Sequence, residues 1–464
     1  MAALFLAAAT SNAASFTNLY SFTATSGIPA YTNSDGAEPV GGLLLSGDML
    51  YGTTSMGGSN NFGTVFRVNA DGTTFTNIHT FNGNAGKGPN AGLVLVGNIL
   101  YGTAAGGGSG SAGTVFAVNT FGMGFTNLYE FIAGSWGGPS GGLVLSGGQL
   151  YGTTTLGGSL AAGIVFRINL DGTGFTNLFN FSSANGYSPY ATLVASGNAL
   201  YGTAVSGGSD SAGTVFRLSN DGTAYTNLHS FTATVNGTNT DGKAPGGHLV
   251  LSGNRLYGTT RYGGATTAGT LFALNTDGTG FTNLHSFSRT SASLPSTNTD
   301  GSVPYAGLTV AGNTLYGAAG FGGTGGSGTI FQINADGTGF TTLHQFAVAT
   351  YNNNLGVSTN SDGAYPYGTL MLSGNTLYGT TQQGTSGGAG CVFALTLASS
   401  PAPIPLSIRL VGSAAVLSWT DLATAFSLQA APAVSGVYTN VPGASSPFTN
   451  AITDSRTFFR LHSN

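Results

Sequence analysis

Short stretches in which hydrophobic and polar residues alternate recur along this chain, and glycine-rich segments separate them. One set consists of GGLLLSG (41–47), MLYGTT (49–54), GTVFRVN (63–69) and FTNIHTF (75–81). Alternation with a period of two, in stretches rich in Val, Phe, Tyr and Thr, is typical of β-strands. Gly47-Asp48 and Asp71-Gly72 lie between stretches and suit the positive φ angles of tight hairpin turns. The pattern therefore predicts four antiparallel strands.

The same four-strand unit is repeated with fixed internal spacing. In the first copy Pro39, Tyr51, Phe66, Phe75 and Phe81 are separated by 12, 15, 9 and 6 residues, and five further copies keep these intervals. The prolines of the six complete copies and of a seventh, shorter copy are Pro39, Pro89, Pro139, Pro189, Pro245, Pro304 and Pro366. A four-stranded unit of about 40–60 residues is typical of one blade of a β-propeller.

The seventh copy lacks its fourth strand. It keeps Pro366, Tyr378 and Phe393, but LTLASSPAPIP follows where the last strand belongs. The missing phrase, FTNLYSF, stands at residues 16–22 near the other end of the chain. Pairing this N-terminal strand with the last blade would close the ring and remove two exposed sheet edges. The sequence thus predicts an all-β protein with a seven-bladed propeller over residues 15–398.

The composition supports an ordered β-protein with little charge. Asp, Glu, Lys and Arg make up 6% of the residues, against about 25% in typical domains. Glycine is abundant at 78 residues, but a hydrophobic content of 41% argues against disorder. The net charge of −4, with two lysines, excludes a basic nucleic-acid footprint. No stretch of about 20 apolar residues predicts a transmembrane segment. The single cysteine, Cys391, excludes an internal disulfide framework.

The consensus GxxPxxGLxxxGNxLYGTTxxGGxxxxGTVFxxNxDGTxFTNLHSF resembles the Gloeobacter–Verrucomicrobia (GloVer) tandem-repeat family of bacterial exported proteins. The resemblance extends over residues 16 to about 396. It implies a secreted or surface-associated β-propeller, and it supplies no catalytic residues, substrate or cofactor. The order of the strands is also similar to that of kelch repeats, which is an analogy of architecture alone.

Two further segments flank the repeats. Residues 1–14 predict a secretory signal peptide, because the apolar run Ala2–Ala9 leads to Ser11-Asn12-Ala13, a small-x-small cleavage site, although no Lys or Arg precedes the run. After a proline-rich linker, 399–405, residues 406–464 predict five or six strands of a small β-sandwich. Its VLSWT segment, with Trp419, resembles an early core strand of fibronectin-type modules. The expected location is extracytoplasmic, secreted or at the cell surface.

Comparison between copies separates structural residues from candidate chemistry. His79, His229, His285 and His344 share one position with Tyr20, Tyr129 and Phe179, which indicates that the position requires a flat ring. Asp71 and its equivalents precede glycine in hairpin turns, and Cys391 occupies the position of Thr64 and Thr114. The chain contains no Ser-His-Asp arrangement, zinc-spaced Cys/His cluster or phosphate loop. No catalytic residue, cofactor or firm metal site is predicted.

Insertions in the repeats are confined to one predicted face. The loops that precede Pro39, Pro245, Pro304 and Pro366 are long, and they end in TNSDGAEP, TNTDGKAP, TNTDGSVP and TNSDGAYP. Such insertions commonly mark a binding face. The aspartates of these loops, Asp35, Asp241, Asp300 and Asp362, are weak calcium candidates, since carboxylate and amide oxygens suit that ion. Asx-turns that prepare the following strand explain the same sequence.

Aromatic and neutral polar residues on this face suit sugar rings and hydroxyls. The predicted ligand-binding residues are Tyr31, Asp35, Glu38, Trp136, Tyr187, Asp241, His248, Arg261, Tyr262, Asp300, Asp362 and Tyr365. His248 stands on the predicted innermost strand, where most copies have glycine or threonine, and is expected near the central channel.

These patterns favour an exported, monomeric, non-catalytic propeller that binds a glycan or another extracellular macromolecule. One alternative is an extracellular carbohydrate-active lyase or hydrolase. It would use Asp241, Asp300, Asp362 or Glu38, together with His248, at the propeller mouth. A second alternative is a purely structural surface repeat protein.

Overall fold

The computed structural model describes residues 14–26, 31–132, 137–292, 294–352, 357–398, 407–411, 414–418, 426–431, 439–451 and 458–463. Residues 1–13 of the predicted leader and the predicted linker 399–405 therefore lie outside the described residues. The chain divides into two compact units, one formed by Phe16–Leu395 and the other containing the tail from Thr396.

Seven antiparallel sheets form the blades of the first unit, and each contains the four predicted strands. The N-terminal strand is β1 Ser15–Ser21. Blade 1 contains β2 Leu44–Ser46, β3 Met49–Thr54, β4 Thr64–Asn69 and β5 Phe75–Thr80. Blade 2 contains β6 Val94–Val96, β7 Ile99–Ala104, β8 Ser111–Asn119 and β9 Thr126–Ile132. Blade 3 contains β10 Val144–Ser146, β11 Gln149–Thr154, β12 Ile164–Asn169 and β13 Thr176–Asn180.

The remaining blades follow the same order. Blade 4 contains β14 Val194–Ser196, β15 Ala199–Ala204, β16 Thr214–Ser219 and β17 Tyr225–Ser230. Blade 5 has an extra edge strand and contains β18 Lys243–Pro245, β19 Val250–Ser252, β20 Arg255–Tyr262, β21 Thr270–Asn275 and β22 Thr282–Ser286. Blade 6 contains β23 Thr309–Ala311, β24 Thr314–Ala319, β25 Thr329–Asn334 and β26 Thr341–Gln345. The loop after it holds the paired strands β27 Thr350–Asn352 and β28 Val357–Thr359.

Blade 7 confirms the predicted closure of the ring. Its strands are β29 Met371–Ser373, β30 Thr376–Thr381 and β31 Cys391–Thr396, and β1 pairs with β31 as the fourth strand. The backbone N–H of Phe22 donates to the carbonyl of Gly390 at 3.0 Å. The seventh sheet is therefore assembled from the two ends of the repeat region.

Aromatic side chains connect each blade to the next. The last Phe of each unit packs edge-on against the third-strand Phe of the following blade, as Phe81 does against Phe116 at 5.2 Å between ring centroids. Phe346 on Phe393 and Phe22 on Phe66 complete the circle. All seven pairs are buried, and burying side chains of this size is the main favourable contribution to folding.

The glycine of each LYG phrase is required by this packing. A Cβ atom at Gly52 would lie 2.5 Å from the ring of Phe66 and 2.9 Å from Leu43. The same clash occurs at Gly102, Gly152, Gly202, Gly258, Gly317 and Gly379. The repeated glycine therefore permits the close approach of a buried aromatic ring.

The tail contains two three-stranded sheets. One consists of β32 Ser407–Val411, β33 Ala414–Ser418 and β36 Phe448–Ala451, and the other of β34 Phe426–Ala431, β35 Thr439–Asn440 and β37 Phe458–Ser463. Leu417 of the first sheet and Leu428 of the second form one buried cluster, as expected for a small β-sandwich. Strand β36 was not among the predicted strands, and Trp419 lies outside the described residues.

Strands and turns account for the regular structure in the described ranges, which contain no helix long and apolar enough to cross a membrane.

Candidate functional site

The centre of the propeller contains a cavity of 870 Å³ to which all seven blades contribute. Its innermost lining comes from one position per blade, the residue three positions after the repeat proline. These residues are Gly42, Gly92, Gly142, Thr192, His248, Gly307 and Thr369. These seven residues form a ring around the axis. Four of them are glycine, so the side chains of Thr192, His248 and Thr369 determine the polarity of the ring.

His248 lies on this ring, as the sequence predicted. Its imidazole packs over the Cα atom of Gly307, since a Cβ there would lie 2.7 Å from the ring, and its Nδ1 is 3.2 Å from the hydroxyl of Thr369. The same hydroxyl accepts the N–H of Gly307 at 3.0 Å. Burial lowers the pKa of His248 from 6.5 to about 4. A neutral imidazole in a hydrogen-bonded ring is suited to position a ligand rather than to carry charge.

The mouth of the cavity is formed by the residue that follows each repeat proline. From blade 1 to blade 7 these residues are Val40, Asn90, Ser140, Tyr190, Gly246, Tyr305 and Tyr367. The first three are small or polar, whereas three of the last four are tyrosines. The mouth is therefore asymmetric, with an aromatic wall on blades 4 to 7 facing smaller residues on blades 1 to 3.

Backbone hydrogen bonds fix these mouth residues. The residue before the proline has a left-handed backbone in most blades, as at Glu38 with φ 56° and Tyr365 with φ 61°. Its N–H donates to a carbonyl of the preceding blade, as Glu38 does to Ala389 at 2.9 Å and Tyr365 to Ser327 at 2.8 Å. Non-glycine residues with positive φ are uncommon and persist where the surrounding structure enforces them. The mouth is consequently part of the rigid scaffold.

The aromatic wall is continuous. The rings of Tyr305 and Tyr367 lie 4.8 Å apart, and Phe321 lies 5.2 Å from Tyr365 and 6.2 Å from Tyr367. Tyr367 covers Gly320, where a Cβ would approach its ring to 2.5 Å. Burial, together with the nearby Tyr305, Tyr365, Tyr262 and Glu38, raises the pKa of Tyr367, so its hydroxyl stays protonated as a hydrogen-bond donor.

Arg261 completes this wall on blade 5. Its guanidinium carbon lies 5.0 Å from the ring centre of Tyr190 and 4.3 Å from that of Tyr305. The guanidinium lies over Gly246, since a Cβ at that residue would be 2.2 Å from Nε. Cation–π contacts of this kind contribute about 0.5–2 kcal/mol each and hold the side chain in one orientation.

Glu38 is the one carboxylate among the described residues that line the cavity. Its Oε2 accepts a hydrogen bond from Nε2 of Gln382 at 3.0 Å. Burial raises the pKa of Glu38 and outweighs the opposing effect of that hydrogen bond. A glycosidase that works with two carboxylates needs a second one across the substrate. The described lining does not provide one.

The aspartates of the four long loops bond the last strand of the preceding blade and do not line the cavity. Asp35 accepts a hydrogen bond from the Tyr20 hydroxyl at 2.7 Å, and Asp241, Asp300 and Asp362 lie 3.0, 3.1 and 3.0 Å from Nε2 of His229, His285 and His344. Each also accepts a backbone N–H after the last strand, as Asp300 does from Ser288 at 2.9 Å. Burial alone would raise the pKa of Asp300, but hydrogen bonds from His285 and Ser288 hold it below its ordinary value.

The asparagines of the same loops are equally engaged. Asn33 accepts the N–H groups of Gly36 and Gly58 and donates to the carbonyls of Thr23 and Gly36. Among the described residues no group of three or more His, Cys, Asp or Glu side chains is placed to hold a metal ion. The contacts of these asparagines and aspartates lie within and beside their own loops.

The flat-ring position, occupied by His79 and its equivalents in the other copies, has two kinds of environment in the structure. Every one of its rings stacks on an aromatic of the next blade, as His79 does on Phe125 at 3.7 Å. His229, His285, His344 and Tyr20 also bond a loop aspartate, whereas His79 faces a short loop with Ala85 in the equivalent position. Nε2 of His79 is buried without a hydrogen-bond partner in the described structure, and burial lowers its pKa to about 4.

The remaining predicted residues are distributed around the rim. Tyr31, Tyr187 and Tyr262 are exposed and do not line the cavity. Tyr365 contacts the aromatic wall through Phe321. Trp136 lies outside the described residues. Of the predicted set, Glu38 and His248 line the cavity, and Arg261 lies against it.

Sequence reasoning missed Tyr190, Tyr305 and Tyr367. The signal was available, because the residue at this position varies between copies although it stands between an invariant proline and a Gly or Ala. Variation at one position of an otherwise fixed repeat indicates a side chain that packing does not determine.

Comparisons with known structures show only distant likeness. A chain of a nidogen/laminin complex is 16% identical, with 70% of this chain and 98% of that chain covered and a TM-score of 0.41. An oligogalacturonate lyase in complex with manganese is 10% identical, with 84% and 98% covered and a TM-score of 0.49. A 6-phosphogluconolactonase described as putative, from Bacteroides uniformis, is 14% identical, with 89% and 98% covered and a TM-score of 0.46. These likenesses are too weak to transfer a function.

No curated protein matches the sequence significantly. The model of the Gloeobacter/Verrucomicrobia repeat, in contrast, matches residues 9–204, 133–298 and 175–357, which together cover most of the chain. The protein therefore belongs to the Gloeobacter/Verrucomicrobia repeat family.

Proposed function

We propose that the protein is an exported, non-catalytic binding module that recognises a carbohydrate chain at the mouth of its central cavity. The observation that carries this proposal is the wall of three tyrosines, Tyr190, Tyr305 and Tyr367, at the opening of an 870 Å³ cavity. Aromatic faces pack against the C–H faces of sugar rings, and ligand sites combine such surfaces with a few fixed polar groups.

The polar groups around the wall suit sugar hydroxyls. Asn90 and Ser140 lie on the opposite side of the mouth, and Thr369, His248 and Glu38 line the cavity. Neutral donors and acceptors recognise hydroxyl groups without the desolvation cost of paired charges. The apolar run and the small-x-small site near the N-terminus support export.

Glycan-array screening followed by calorimetric titration tests the proposal. Truncating a central aromatic contact typically costs at least about 2 kcal/mol, or roughly 30-fold in affinity. We expect Tyr305→Ala and Tyr367→Ala each to weaken binding of the best glycan by at least that factor. Phe121→Ala is the matched control, since Phe121 is an exposed aromatic that does not line the cavity.

The same sugars should be assayed for new reducing ends and unsaturated products. Binding without turnover supports the module. Turnover abolished by Glu38→Gln would replace it with the enzyme alternative. Absence of binding across the array, with correctly folded protein, would overturn the proposal in favour of a structural repeat protein.

A further inference from the structure

Arg261 has no ion-pair partner among the described residues. The ion pairs within the described ranges are three histidine–aspartate pairs, and none involves an arginine or a lysine. Nε of Arg261 is buried without a hydrogen-bond partner, and its guanidinium donates to no described residue. Nε of Arg167 is likewise buried without a partner, whereas two other arginines with a buried Nε donate through a terminal nitrogen, Arg67 to the carbonyl of Thr120 and Arg255 to the hydroxyl of Thr282.

The position of the guanidinium is nevertheless fixed. Tyr190 and Tyr305 contact it at 5.0 and 4.3 Å, and both tyrosines line the cavity mouth. It occupies the space above Gly246, the one mouth residue without a side chain. A buried N–H without a partner is unfavourable, so an unpaired guanidinium N–H beside the cavity mouth is suited to a ligand that supplies the acceptor.

No carboxylate of the described lining forms an ion pair with Arg261. Glu38, the one carboxylate of this lining, is bonded to Gln382 of blade 7 and not to Arg261 of blade 5. The described lining itself contains no arginine or lysine, so Arg261, which lies against it, is the cation beside Tyr190 and Tyr305. A single planar guanidinium neutralises the charge of one carboxylate and can donate two parallel hydrogen bonds to it. Phosphate usually requires more than one cation or a cluster of N–H donors.

We propose that Arg261 binds the carboxylate of a uronic acid, so that the ligand of the mouth is an acidic polysaccharide. This inference rests on the proposed carbohydrate function and names the class of sugar. The carboxylate lies against the guanidinium edge between Tyr190 and Tyr305, while neighbouring sugar rings stack along Tyr305 and Tyr367. The small residues of blades 1 to 3 leave room for the rest of the chain.

The test compares matched pairs of sugars. Oligogalacturonate, oligomannuronate and glucuronate-containing oligosaccharides are titrated into the full-length protein by calorimetry, each beside the same oligosaccharide after reduction of its carboxyls to primary alcohols. We expect at least one acidic member to bind about 10- to 100-fold more tightly than its reduced form, the range typical of a hydrogen bond to a charged group. This preference should decrease with added salt, because screening weakens charge pairing.

Three variants test whether Arg261 is the source of the preference for acidic over reduced sugars. Arg261→Met keeps the length of the side chain without its charge, and it should bring the acidic and reduced sugars to equal affinity. Arg67→Met is the matched control, since Arg67 also stacks on an aromatic, Phe121 at 5.4 Å, and does not line the cavity. Arg261→Lys should restore part of the preference, which separates loss of charge from collapse of the wall.

The outcomes distinguish the two proposals. Equal affinity of the wild type for acidic and reduced sugars, or a preference that survives in Arg261→Met, would overturn the role of Arg261 and leave carbohydrate binding intact. Failure of every acidic and neutral sugar to bind the folded wild type would overturn both.

Discussion

Phenylalanine substitutions at two equivalent histidines should change stability in opposite directions. His79 and His285 occupy the same position in blades 1 and 5, and they stack on Phe125 and Phe340 at 3.7 and 3.9 Å. The third copy carries Phe179 in this position, so the blade accommodates a phenyl ring there. The substitution therefore preserves the stack and removes only the ring nitrogens.

The polar contacts of the two histidines determine the expected magnitudes. Nε2 of His79 is buried and unpaired, and an unsatisfied buried group costs about 1–3 kcal/mol. His79→Phe should thus stabilise the protein by about 1 kcal/mol. Nε2 of His285 lies 3.1 Å from Asp300, and a hydrogen bond to a charged group contributes about 1.5–3 kcal/mol. His285→Phe should destabilise by about 2 kcal/mol, which separates the two variants by about 3 kcal/mol.

Urea denaturation followed by far-UV circular dichroism measures the two free energies of unfolding. Ala85→Asp provides a third arm, because Ala85 stands where the long loops have aspartate. This variant should raise the pKa of His79 in an NMR titration and remove the benefit of His79→Phe. Shifts of the same sign and size in His79→Phe and His285→Phe would refute the assignment of the loop aspartates as anchors.

Three further predictions concern closure, acid sensitivity and thiol reactivity. Phe22→Ala should lower the free energy of unfolding measured in urea by about 3–5 kcal/mol, because the buried Phe22 ring packs on Phe66 where the ring of blades closes. Phe121→Ala, at an exposed residue, should change it by less than about 0.5 kcal/mol. Equal effects of the two variants would contradict the closure. Since burial lowers the pKa of His248 from 6.5 to about 4, the unfolded chain takes up a proton in that window and the folded one does not, so stability falls as pH drops from 6.5 towards 4. His248→Thr should flatten this decline in thermal melts, and an unchanged slope would exclude the linkage. Cys391 should react with Ellman's reagent only after denaturation, because burial raises the pKa of its thiol to about 12, and rapid labelling of the folded protein would show that the seam opens.

The propeller was predictable because repetition provides an internal comparison. Fixed spacing between Pro39, Tyr51 and Phe66 over successive copies identified residues whose packing is constant, and the incomplete seventh copy predicted the pairing of residues 16–22 with the strand around Phe393. The flat-ring position was assigned correctly to packing for the same reason, since the sequence itself shows which substitutions the position accepts.

The candidate site was predicted only in part. Comparison between copies identified the variable loops but not the direction in which their side chains point, and Asp241 and Asp300 proved to be anchored to the last strand of the preceding blade. Each loop aspartate follows a His or Tyr in the flat-ring position, as Asp241 follows His229, and this was visible across copies, yet only coordinates connect the two. Tyr305 and Tyr367 were missed because they lie on different blades, and the curvature of the ring of blades brings their side chains together.

Sequence alone determined the unit, the number of units and the way the two ends join, because these follow from local hydrophobic periodicity and from counting. The tertiary structure decided which residues meet at the axis. Arg261 lies against Tyr190 and Tyr305, which belong to neighbouring blades and are separated from it by dozens of residues. Contacts between blades depend on the angle at which rigid sheets pack around a centre, and linear spacing within a blade carries no record of that angle.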